Sequence, residues 1–145
     1  MNYQTVQASI ESAKADPWAN GDGDYSRLVY RIVAFLRAQG LTVELYSPWL
    51  EAESVAGRIS YENRTVWLNE PRAKSAALTA AHEAGHWVSY LRLHERYCRE
   101  EDHMTGNAEI LAYLYGWSVL RWLDTERLIT KEMWREHHAD ILVRC

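Results

Sequence analysis

Apolar residues recur at helical spacing near the start of the chain. Val6, Ile10 and Ala13 follow one another at intervals of four and three, which predicts a short helix over residues 3–15. Asp16-Pro17-Trp18-Ala19-Asn20-Gly21-Asp22-Gly23-Asp24 is turn chemistry throughout. Asn20, Asp22 and Asp24 alternate as at the start of a calcium loop. Tyr25 stands where such a loop requires Gly and Arg31 where it requires Glu, so the stretch reads as a polar loop ending in an Asp24 N-cap. Leu28, Ile32, Phe35 and Leu36 then form one stripe of a helix over 25–39, with Gly40 at the position after its last turn. Leu41 to Tyr46 alternates at period two and predicts a strand, closed off by Pro48. Residues 47–57 read as a loop whose Trp49 and Leu50 are either core plugs or part of a cleft wall, the plug being favoured. Residues 58–61 and 65–68 read as two short strands of a hairpin, with Asn63 in the left-handed turn position.

The second half of the chain is helical in pattern. Pro71 suits a first helical turn, and from Ala73 an Ala-rich, helix-favouring stretch continues to about His94. Residues 96–103 are charged and loop-like. Thr105 then caps a helix running to about Leu123, with Leu111, Leu114, Tyr115, Val119 and Trp122 apolar. Asp124-Thr125 makes a short turn, and Thr130 caps a last helix with Met133, Trp134, Ile141 and Leu142 on its buried side. The pattern predicts a single α+β domain over 1–145, of about three strands and several helices. There are no internal repeats.

Composition narrows the class of function. The chain is 48% hydrophobic and 25% charged, as in ordinary globular proteins, and its length suits one sizeable core. A net charge of −4, with no dense Lys/Arg run, argues against nucleic acid as a partner. Cys98 and Cys145 are too few for a disulfide framework and read as free thiols. No basic-then-apolar leader opens the chain, and the apolar run from Ile110 to Leu123 falls short of a membrane span. The expectation is a cytoplasmic protein with no membrane association.

Against this background one heptapeptide carries chemistry: Ala81-His82-Glu83-Ala84-Gly85-His86-Trp87, an H-E-x-x-H sequence. On a helix His82 and His86 lie one turn apart on one face, so their imidazoles can converge on a single ion. Two neutral imidazoles suit Zn²⁺. Glu83 lies beside that face, placed to act as a base toward water without being a ligand. A surface helix with two His and one Glu is the plain alternative. The motif instead sits within an Ala-rich apolar stretch, where polar side chains are costly to bury without a purpose.

A catalytic site needs a third protein ligand. Ser89 and Arg92 occupy the positions of an H-x-x-G-x-x-H continuation, which is therefore absent. Asp102, His103 and Glu109 are the downstream candidates. Glu109 is favoured because it begins a face continuing with Ala112 and Gly116, small residues that let this helix lie close to Ala81 and Gly85 of the motif helix. His137 and His138 read as exposed or supporting rather than as ligands. Tyr90, Tyr113, His94 and His103 are all possible oxyanion donors.

A hairpin like 58–69, the run Ala80-Ala81-His82-Glu83-Ala84-Gly85-His86 and a following helix bearing Glu109 together resemble the ImmA/IrrE-type family of small cytoplasmic zinc peptidases, gluzincin-like in character and common in bacteria, mobile elements and phages. The resemblance covers about residues 25–123. Family members often carry Glu-Ala-Asn-x-Phe-Ala at the third ligand. Here the run is Glu109-Ile110-Leu111-Ala112-Tyr113-Leu114, which keeps the aromatic and loses the Ala and Asn after Glu. The resemblance implies a zincin-like minimal fold, with a small twisted sheet packed on the motif helix. It also implies a sheet edge over the metal where an extended peptide could add as a strand.

The expected activity is that of a zinc metallopeptidase holding one Zn²⁺ per chain through His82, His86 and Glu109, with Glu83 as catalytic base and a protein or peptide as substrate. The rival is a non-proteolytic zinc-containing interaction or regulatory module, binding a protein partner through exposed aromatics; seven Trp and nine Tyr supply the anchors.

Overall fold

The computed structural model describes residues 3–17, 24–47, 50, 56–69, 76–93 and 106–144. These form five helices and three strands: α1 (Tyr3–Ala15), α2 (Asp24–Ala38), β1 (Thr42–Leu45), β2 (Gly57–Ser60), β3 (Thr65–Leu68), α3 (Ala76–Leu93), α4 (Gly106–Leu123) and α5 (Lys131–Arg144). The class is α+β, as the sequence pattern predicts. One cluster of buried apolar side chains draws on every element, from Val6 and Ile10 of α1 to Met133 of α5. No helix among the described residues is long and apolar enough to cross a membrane.

The first helices follow their stripes. Val6, Ile10 and Ala13 are buried on α1, and Leu28, Ile32, Phe35 and Leu36 on α2. The α2 terminus is a Schellman motif: Leu41 N–H donates to Leu36 O and Gly40 N–H to Arg37 O, with Gly40 at φ 87°. That turn delivers the chain directly into β1.

The sheet has order β1-β3-β2, with β1 parallel to β3 and β2 antiparallel to it. β1 is shorter than its alternating stretch because Tyr46 turns left-handed at φ 60°. The hairpin also corrects one expectation. Its left-handed residue is Arg64 (φ 48°), not Asn63. The loop spans four residues, Tyr61–Arg64; Arg64 N–H donates back to Tyr61 O, and the Thr65 hydroxyl donates to the Asn63 carbonyl. The chain therefore reverses its twist at the last loop position. Leu50 is fully buried, the plug expected of it. Pro48, Trp49, Pro71 and the loop carrying Asn20 and Asp22 lie outside the described residues.

Helix α3 is buried on nearly all sides, and α4 lies against it. The contact is set by glycine. A Cβ on Gly85 would sit 1.8 Å from Ala112 O, and one on Gly116 would sit 2.2 Å from Ala81 O. Backbone meets backbone there, as the small-residue face predicts. Ala108, Ala112, Val119, Leu120 and Leu123 of α4 are buried, whereas Leu114 and Trp122 are 51% and 38% exposed. At the crossing only small side chains fit inward.

The last helix is capped as expected, Met133 N–H donating to the Thr130 hydroxyl at 3.1 Å. Its buried side is only in part the one expected. Met133 and His137 face inward, while Trp134 and Leu142 are 50% and 59% exposed. The inward face follows the i, i+4 spacing of Met133 and His137, and the imidazole is accepted there by stacking on an aromatic ring of α4.

Candidate metal centre

The close crossing of α3 and α4 has a direct chemical consequence. His82 and His86 project from successive turns of α3, their rings 4.6 Å apart and nearly perpendicular. Glu109, on the first turn of α4, reaches across to both. Its Oε2 lies 2.9 Å from His82 Nε2 and its Oε1 3.3 Å from His86 Nε2. One ligand atom from each of the three residues lies within 4.8 Å of the others, a group close enough to hold a metal ion. Ligands about 2.0–2.1 Å from one tetrahedral ion are about 3.3–3.4 Å from each other, a separation inside the 4.8 Å limit of this group. The donor set, two imidazole nitrogens and a carboxylate oxygen, suits a divalent transition-metal ion, zinc among them.

Asp102 and His103, the other candidates for the third ligand, lie outside the described residues, as do His94 and Cys98. His137 and His138 take no part in the group. His137 is buried against Trp117, at 4.5 Å between ring centres, and His138 stacks on Trp134 at the surface.

The two carboxylates of the site stand in opposite environments. Burial alone would raise the Glu109 carboxyl. Hydrogen bonds from His82 and His86, with the charge of those imidazoles, outweigh it and hold the group well below the usual carboxylate range. Glu83 is 6% exposed, and burial pushes its carboxyl up; the charges of His86, His82 and Arg58 offset this only in part. Glu83 is not one of the three converging side chains. It faces β2, whose Gly57 makes room for it: a Cβ there would lie 3.0 Å from Thr79 Cγ2 and 3.2 Å from Glu83 Cγ. The outer strand of the sheet therefore passes directly beside this carboxyl.

Surrounding groups hold the motif helix in register. The His86 carbonyl accepts hydrogen bonds from the Ser89 hydroxyl at 3.1 Å and from the Tyr61 hydroxyl at 3.4 Å, and Tyr61 stacks on Tyr90. Trp87 Nε1 donates to Gln39 Oε1, whose amide in turn donates to Ser9 Oγ, so a buried polar relay joins α3 to α2 and α1. Tyr113 lies against His82, with 4.1 Å between ring centres.

Sequence reasoning passes over several of these residues. Gly57, Gln39 and Trp117 carry no motif, and of the two histidines read as exposed or supporting, His137 is buried. Tyr113, named from the sequence as a possible oxyanion donor, follows Glu109 by four residues and shares its face, which is the signal for its place against His82. No protein-family model, curated protein or solved structure matches this chain.

Proposed function

We propose that the chain is a metal-dependent peptidase that binds one Zn²⁺ through His82, His86 and Glu109 and uses Glu83 as its general base. The observation that carries this reading is the separation of roles between two nearby carboxylates. Glu109 is an acceptor shared by both imidazoles, whereas Glu83 is buried beside them, outside the converging set and shifted toward proton uptake. A purely structural metal site has no use for the second group.

When bound, the ion supplies Lewis acidity, polarising the scissile carbonyl and making a water acidic near neutral pH. The Glu83 carboxylate takes the proton of the attacking water as the C–O bond forms. It then delivers that proton to the amide nitrogen as the C–N bond breaks. Glu109 and the two imidazoles hold position throughout. β2, an outer strand with Gly57 against Glu83, supports an extended peptide aligned along the sheet edge as the substrate pose. The same arrangement is what a resemblance to the ImmA/IrrE-type peptidases leads one to expect.

A second reading, a metal-holding module for protein interaction, is favoured by Trp134, Leu142 and Val143, which leave an apolar strip of α5 exposed. The two readings separate on cleavage. Zinc-loaded protein incubated with a proteome-derived peptide library is expected to generate new termini at defined sites, and chelation is expected to stop it. Stoichiometric zinc with no cleavage at all would leave the interaction module.

A further inference from the structure

A ligating imidazole is ordinarily aimed by its second nitrogen, which hands a proton to a carboxylate or carbonyl. His82 lacks that support. Its Nδ1 is buried and has no hydrogen-bond partner among the described residues. Yet the ring is closely confined. The Tyr113 ring lies over it at 4.1 Å, tilted 46°, and the His86 ring meets it edge-on at 4.6 Å. Tyr113 is itself backed by His137, whose ring centre is 5.9 Å away in an edge contact, and His137 is stacked flat on Trp117 at 4.5 Å. The series runs from α3 through α4 to α5.

We infer that Tyr113 is the positioning residue of His82, its ring fixing the imidazole by packing where a hydrogen-bonded acceptor would otherwise do so. This rests on the metal site proposed above and assigns its geometry to a side chain that is not a ligand. The aromatic face, not the hydroxyl, does the positioning. A freely rotating imidazole would have to be ordered each time the ion binds, and that entropy would be taken from affinity. His137 and Trp117 serve by keeping Tyr113 in place.

The test is a zinc titration against a chromophoric chelator, paired with the visible spectrum of the cobalt(II) form and a far-UV circular dichroism spectrum of each metal-free variant. Tyr113→Phe keeps the ring and is expected to bind zinc within about threefold of wild type, with an unchanged cobalt spectrum. Tyr113→Leu keeps bulk without the ring and is expected to lose about tenfold or more in affinity, the range seen when the groups that orient a ligand are removed, and to alter the cobalt spectrum. Tyr113→Met, a more adaptable filler, provides the same comparison if the leucine variant does not fold. Wild-type affinity in a folded Leu or Met variant would overturn the inference, and so would a loss in Tyr113→Phe equal to that in the ring-less variant. A wild-type protein that takes up no zinc would overturn the metal site itself, and this inference with it.

Discussion

Glu83 and Glu109 are chemically identical side chains given different work by their surroundings. Glu109 sits between two imidazoles that hold its proton off, whereas Glu83 is enclosed against β2, where burial favours the protonated form. The converging group was legible in the sequence because helical spacing alone puts His82 and His86 on one face, and Glu109 opens a face of small residues. The environment of Glu83 was not legible. It depends on Gly57, a residue from a separate strand that makes room for Glu83 by having no side chain. His82→Ala and His86→Ala are each expected to abolish stoichiometric zinc in purified protein, measured by elemental analysis. Glu109→Ala is expected to weaken zinc binding by roughly 100-fold or more, beyond the usual effect of losing a group that only orients a ligand. Retention of full zinc affinity by Glu109→Ala would remove it from the ligand set.

Among the elements, the pairing of α3 with α4 decides whether a site exists at all. The two backbones approach at Gly85 and Gly116, and that approach brings Glu109 to the histidines. Gly116→Leu is expected to destabilise the fold by about 1–3 kcal/mol and to weaken zinc binding without touching a ligand, because the added side chain has only backbone to displace. Chemical denaturation and zinc titration of this variant check both effects; unchanged values would contradict the close crossing. This element pair also shows where pattern reading fails. Apolarity alone assigned Trp134 and Leu142 to the buried side of α5, and apolarity does not tell Leu114 and Trp122, which are exposed, from Val119, which is buried. In the fold, volume at the crossing and stacking with Trp117 decide instead, and a histidine takes an inward position that larger apolar residues do not.

Across the whole molecule, one ion-pair cluster ties α2 to the segment between α4 and α5. Arg31, only 2% exposed, donates to Leu123 O at 3.0 Å and pairs with Glu126, which Arg27 also contacts at 2.6 Å. The Arg31 and Arg27 guanidiniums hold the Glu126 carboxyl down to about 2, from an ordinary value of 4.5. A folded value below the unfolded one means that this stabilisation is complete above about pH 4.5 and is lost as pH falls toward 2. Glu126→Gln is expected to lower the melting temperature at neutral pH and to flatten its decline between those limits; an unaltered pH profile would contradict the tie. Such long-range pairing has no signature in the sequence, unlike the helices, the three strands and the His82-His86-Glu109 group, which local spacing and small-residue faces announce. The central claim is that Glu83 performs chemistry rather than holding structure, and Glu83→Gln isolates it, since the substitution keeps shape and all three ligands but cannot accept a proton. Peptide cleavage by the wild type and by Glu83→Gln, compared at equal zinc content, is the decisive measurement. The variant is expected to keep zinc and fold while losing at least about 100-fold in cleavage rate; cleavage at the wild-type rate would contradict the account.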